Sequence, residues 1–239
     1  MIDDSNHEAI DRFVKVLRRR ILSGELPGGA RLGQQEIAAE FQLSRHHVRE
    51  IIRILSEERL IVTRANASAV VAPLSMIDYE EVHELHLALE PMLGRLAVPN
   101  LTGAHLLRLE ELIGAMENTT DTTRFLDAHD RFHTLIYRQS QRPWMIAIVD
   151  QSRQLARRYL NVLHTDSEWR EREIPHRLIL NAVQTRDPQQ VENLLADHMR
   201  EAHDRVFRQL LRTGIDSIES SWSPGISGDL IHNSERTFP

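Results

Sequence analysis

The chain has 239 residues, 41% hydrophobic and 27% charged, which suits one large domain or two small ones with a real core. It has no cysteine, excluding disulfides and thiolate chemistry; no apolar run nears the ~18 residues of a membrane span, and the start MIDDSNHEAIDRF is too polar for a signal peptide, so a cytoplasmic location is expected. The net charge of −6 is uneven: residues 1–74 hold 11 Lys and Arg against 10 Asp and Glu, and the remainder 18 against 25, so a nucleic-acid partner requires the front arginines to share one face.

Ile10, Phe13, Val14, Leu17, Ile21 and Leu22 have helical spacing and predict a helix over 9–22, stopped by the turn cluster SGELPGG at 23–29. A short helix over 34–41 turns Ile37, Ala38 and Phe41 inward and ends in a tight turn at Gln42-Leu43. Ser44 is a good N-cap for a helix over 45–57 that buries Val48, Ile51, Ile52 and Leu55. The β-branched stretches at 60–64 and 68–73 predict a hairpin. From 75 onward every segment predicts helix: 77–97, 102–117, 121–140, 143–164, 168–185 and 188–213. Asp187-Pro188 is an N-cap followed by proline at the first helical position, and Pro175 restarts or kinks its segment. The Ser/Gly/Pro-rich end, 214–239, reads as a loosely attached tail. The fold class expected is mainly α: an N-terminal winged helix-turn-helix domain over 1–74, then an all-α antiparallel helical bundle over 75–213.

In that front order, the helix beginning at Ser44 is the one that enters a major groove. Its first turns expose Arg45, His46 and Arg49 while burying Val48, and arginine pairs naturally with guanine O6 and N7 and with phosphate. Arg53 and Arg64 extend the same basic set. The segment ILSGELPGGARLGQQEIAAEFQLSRHHVREIIRILSEERLI resembles the DNA-binding domain of the GntR superfamily of bacterial repressors over about 60 residues. The resemblance implies that Arg45 and Arg49 are the principal contacts to double-stranded DNA, with Ser44 and His47 near the backbone. Two departures stand out: Glu58-Arg59-Leu60 where relatives carry Glu-Gly-Leu, and a wing turn, RANASAV, without the usual glycine.

Four histidines fall on otherwise apolar helix sides. His129 and His133 are four apart in DAHDRFHTLIY and share a side with Leu126 and Ile136. His176 shares a stripe with Ile179, Leu180 and Val183, and His198 with Val191, Leu194, Leu195 and Ala202. An i, i+4 pair plus one imidazole from each of two other helices can surround one Zn²⁺ or Ni²⁺ ion. The alternative is ordinary buried histidines with no metal.

HLALEPMLGRLAV (86–98), DAHDRFHTLIY and PHRLILNAVQTRDPQQVENLLADHMREAH (175–203) resemble the FCD ligand-binding domain of FadR-type regulators. That resemblance implies a homodimer on a two-fold symmetric operator, a small organic-acid effector and one divalent transition metal per chain. His133, His176 and His198 match the three histidine ligands, while the acidic ligand position falls on His129, so either His129 is the fourth ligand or Asp130 compensates from next door. The arginine of the R-x-x-LE pattern is replaced by His86, and Arg95, Arg138 and Arg153 are further candidates to meet an anionic effector. A helical metalloenzyme is the competing class, because Glu80-x-x-His83 and Asp130-x-x-His133 superficially match paired Glu-x-x-His sites. It needs two further bridging glutamates facing inward and leaves the winged front unexplained.

Overall fold

The computed structural model describes residues 4–64, 68–163 and 175–212, and over these the elements come in the predicted order. Three helices form the front: α1 (Asp4–Leu22), α2 (Gln34–Phe41) and α3 (Arg45–Glu57). Their apolar stripes meet in one core containing Val14, Leu17, Ile21, Ile37, Val48, Ile51 and Leu55. Burying such a side chain contributes roughly 1.5–3 kcal/mol, so this cluster holds the head together. Ser44 caps α3 as expected, its side chain accepting from the His47 amide at 3.2 Å. The turn before it is made by Gln42, which adopts left-handed φ of 53° as the C-cap of α2.

The predicted hairpin is β2 (Ile61–Arg64) and β3 (Ser68–Val71), paired antiparallel with Val62 opposite Val70. A third strand was not foreseen. Arg31 and Leu32 form β1 and pair with Val70 and Ala69, making a sheet ordered β1-β3-β2. Two residues are too few to show an alternating pattern, and their signal was hidden behind the turn cluster before them. Residues 65–67 of the wing turn lie outside the described residues.

Behind the head come α4 (Met76–Ala97), a 3-10 turn (Val98–Asn100), α5 (Gly103–Glu117), α6 (Thr122–Arg138), α7 (Pro143–Leu163), α8 (Pro175–Gln184) and α9 (Pro188–Arg212). Caps set several of the starts: Ser75 for α4, Thr102 for α5, Asp121 for α6 and Asp187 for α9. A second core containing Leu93, Leu109, Phe132, Ile136, Val183, Val191 and Leu195 fills the bundle. At Gly94 a Cβ would lie 2.1 Å from Leu195 Cδ1, so the missing side chain lets α4 lie close on α9. The helix expected over 168–185 is described from Pro175 on; 168–174 and the tail at 214–239 lie outside the described residues.

The C-terminal half of α7 joins the two cores. Leu155 packs against the head core, Arg158 donates to the Ala72 carbonyl, and Asn161 donates to the Leu22 carbonyl. The Tyr159 hydroxyl accepts from the Ser75 amide at 3.3 Å.

The Glu-Arg-Leu departure has a conformational consequence. Arg59 takes φ of 59°, and the next amide, Leu60, donates back to Leu55 at 3.0 Å, closing α3 with a Schellman turn. A left-handed residue with a Cβ costs about 1–2 kcal/mol. Arg59→Gly is therefore expected to raise stability by about 0.5–1 kcal/mol, since the exposed 3.8 Å pair with Glu81 contributes little. Denaturant melts of the two proteins check this; a lower midpoint for the glycine variant refutes it.

Candidate functional site

On the head, the α3 N-terminus presents the predicted basic face. Ser44, Arg45, His46 and Arg49 are exposed and His47 is half-buried over the buried Val48. Among the described residues Arg45 and Arg49 carry no ion pair. Arg53 differs: it is exposed but held between Glu50, at 2.6 Å, and Glu57, carboxylates one turn before and one turn after it. Arg64 ends β2, and its side chain lies outside the described residues. Arg18 is likewise spent within the fold, bonding Glu58 through Nε at 2.8 Å. The first two turns of α3 thus carry two exposed arginines, Arg45 and Arg49, that are not tied to a carboxylate among the described residues.

In the bundle, α6, α8 and α9 bring the four predicted histidines together. One ligand atom from each of His129, His133, His176 and His198 lies within 4.8 Å of the others. His133 and His176 face each other through Nε2 at 3.3 Å, and the His133 and His198 rings stack at 5.0 Å. The His133, His176 and His198 side chains are buried; that of His129 is 13% exposed. Burial holds all four below the ordinary imidazole range; the charge of Arg153 adds to it, as do neighbouring histidines at His133, His176 and His198, while contact with Asp130 opposes it at His129. They are therefore neutral at pH 7, the form that donates a lone pair.

Two observations test whether these residues suit a metal. Both ring nitrogens of His198 are buried without a hydrogen-bond partner, and so is Nδ1 of His129. Such orphans each cost about 1–3 kcal/mol unless something meets them. Two donors on one ion at ~2.1 Å can be no more than about 4.2 Å apart, so the cluster needs only a small closure to hold a Zn²⁺-sized ion. The donor set fits.

Asp130 does not complete this centre. Its carboxylate bonds Arg153 at 3.0 Å and Arg157 at 3.0 Å, while His129 Nδ1 stays 3.8 Å away. Burial would raise its pKa, but the contact with His129 and the two guanidinium groups bring it down to about 2. Of the two options for the fourth position, the geometry brings His129 to the cluster and leaves Asp130 to the arginines.

The candidate effector residues scatter. Arg153 is buried beside the centre, donating to Glu90 at 2.9 Å as well as to Asp130. His86 is buried with Nε2 on the Ser152 hydroxyl at 2.9 Å. That hydroxyl gives its one hydrogen to the Val149 carbonyl at 3.0 Å, so His86 Nε2 is the donor. Arg95 lies apart, half-exposed and paired with Glu192 at 3.1 Å. Arg138 is on the outer side of α6, where it lines a surface cleft of about 370 Å³ with Arg108, Arg131 and Thr134. The enzyme alternative finds no support: Glu80 is exposed, and His83 stacks on His203 at 4.0 Å instead of joining the cluster.

Glu90, Tyr137 and Ser152 escaped the sequence reading. Glu90 has no exposed surface and accepts from both Tyr137 and Arg153 on one oxygen. A signal existed: Glu90 continues the buried stripe of Tyr79, Val82, His86, Leu93 and Ala97, where a lone acid demands a buried partner.

Comparison with known proteins gives the family of each half. The model described as the FCD domain matches residues 81–201, and that described as bacterial regulatory proteins, gntR family, matches residues 10–71. The HTH-type transcriptional regulator McbR of Escherichia coli (strain K12) is 27% identical over 203 residues, 82% of this chain and 91% of that protein. The HTH-type transcriptional repressor RspR of the same strain is 27% identical over 216 residues, 86% of this chain and 91% of that one. The solved structure of E. coli McbR/YncC shares the fold, with a TM-score of 0.75 at 23% identity over 87% of this chain and 99% of that chain.

Removing Glu90 strands the Arg153 charge in the interior, with only Asp130 left to it. Glu90→Ala is expected to cost about 3 kcal/mol or more. Equilibrium urea unfolding measures it; a loss below ~1 kcal/mol means the pair is solvated and the buried network is misassigned.

Proposed function

This chain belongs to the gntR family of bacterial regulatory proteins, carries an FCD domain and is a DNA-binding transcriptional regulator, and from that premise we propose that a small organic acid, bound beside a metal ion in the bundle, sets its grip on DNA. The observation that carries the reading is the buried four-histidine cluster with its unpartnered His198 nitrogens. His129, His133, His176 and His198 would hold one Zn²⁺ or Ni²⁺ per chain, because neutral imidazoles favour borderline metals over Mg²⁺ or Ca²⁺. When bound, such an ion offers open coordination positions to a carboxylate. Arg153, held by Glu90 and Asp130, is the candidate that orients the effector's anionic end.

The division of labour follows the two cores, with a boundary near residue 74. Arg45 and Arg49 on α3 are the proposed base and phosphate contacts, with Ser44, His46 and His47 beside them. Arg53 is a weaker candidate, since binding must first release it from Glu50 and Glu57. The regulator acts as a homodimer on a two-fold operator. Trp144 and Ile148, four apart on α7, are 85% and 45% exposed, and an apolar strip of this kind supports contact with a second copy. Coupling runs through α7, whose middle carries Ser152 and Arg153 and whose end grips the head at Ala72 and Leu22.

Two measurements decide the reading. Elemental analysis of purified protein should find close to one ion per chain, and His133→Ala should lose it; unchanged metal content in that variant removes His133 from the site. Arg49→Ala should weaken specific operator binding by about 1–3 kcal/mol without altering the fold. Wild-type affinity at the same salt concentration would take Arg49 out of the reading set.

A further inference from the structure

The chain Glu90–Tyr137–His133 does more than fill the interior. We propose that Glu90 and Tyr137 are positioning residues that fix the tautomer of His133, leaving its Nε2 lone pair aimed into the histidine cluster before any ion arrives.

The hydrogen inventory carries this. The Tyr137 hydroxyl donates to Glu90 Oε2 at 2.5 Å. A phenol has a single hydrogen, so its oxygen can only accept in its second contact. That contact is His133 Nδ1 at 3.2 Å, which must therefore carry the proton. Glu90 in turn is held by Arg153 at 2.9 Å. The His133 ring is also clamped, meeting Phe132 edge-on at 5.3 Å and 87°. With its proton on Nδ1, the neutral ring leaves Nε2 bare, and Nε2 is the atom 3.3 Å from His176 Nε2. Two bare lone pairs do not approach so closely, so in the ion-free protein His176 carries its proton on Nε2. The two rings are thus opposite tautomers: His133 is preset as a donor to an ion and His176 is not.

The purpose of this arrangement rests on the metal reading, but its test does not. Chelator-treated wild-type protein labelled with ¹⁵N-histidine is examined by long-range ¹H–¹⁵N correlation, with His133 and His176 assigned from His133→Gln and His176→Gln. Protonated and bare ring nitrogens give distinct signals. The expected result is a proton on Nδ1 of His133 and on Nε2 of His176. A proton on Nε2 of His133 overturns the proposal even if the protein binds an ion at full stoichiometry. The expected tautomers in a protein that takes up no Ni²⁺ or Zn²⁺ uphold the relay and sink the metal reading instead. In Tyr137→Phe the fixed tautomer of His133 should be lost, and Ni²⁺ affinity by calorimetry should fall about 10–100-fold. Unchanged affinity in that variant also overturns the proposal. If Tyr137→Phe does not fold, the wild-type spectrum alone decides.

Discussion

A carboxylate with no exposed surface must be neutralised where it stands, and the interior of this bundle is arranged around that requirement. Glu90 draws in the guanidinium of Arg153 from α7 and the hydroxyl of Tyr137 from α6, and His86 approaches its other oxygen at 3.5 Å. Arg153 then needs a second acid because one carboxylate cannot use all its donors, and Asp130 supplies it. Asp130 is thereby engaged and unavailable next to the histidines. The all-histidine character of the cluster is, in this sense, set from the α4 side of the bundle.

The charge consequence is specific. Three carboxylates, Glu90, Asp130 and the more exposed Asp127, meet the two guanidinium groups of Arg153 and Arg157, and the four histidines beside them are held neutral by burial. A cation placed among those imidazoles would bring positive charge that no residue of the cluster cancels. A dry interior tolerates that poorly, which favours an anionic ligand arriving with or after the ion. Electrostatics and ligand choice are therefore linked through the replacement of one acid by His129.

Much of this was readable in the sequence, for identifiable reasons. Helix borders at Ser44 and at Asp187-Pro188 were legible because a capping side chain is a local signal. The histidine quartet was legible because each member interrupts an apolar stripe. The partners of those residues were not. That Arg153 meets Glu90 and Asp130, or that Glu50 and Glu57 hold Arg53, depends on which helix sides face each other and on side-chain reach. Arg138 was grouped with the inner residues, yet it lies on the far side of α6 from His133, a distinction that the helical period gives once the inward side is fixed. Left-handed backbone at Gln42 and Arg59 is not signalled by the residues themselves, since neither is glycine or asparagine; the cues were the tight turn expected at Gln42-Leu43 and the glycine that relatives carry at position 59.

Beside the packing of Leu155, the hydrogen bonds between bundle and head end on main-chain atoms: Arg158 and Asn161 reach the carbonyls of Ala72 and Leu22, and Tyr159 reaches the amide of Ser75. Backbone groups are present whatever side chain stands at those positions. The exposed face of α3 can therefore change its side chains without dismantling the joint between head and bundle. Substitutions on that one helix leave the hydrogen bonds between head and bundle as they are, so the exposed face and the joint behind it can be altered independently.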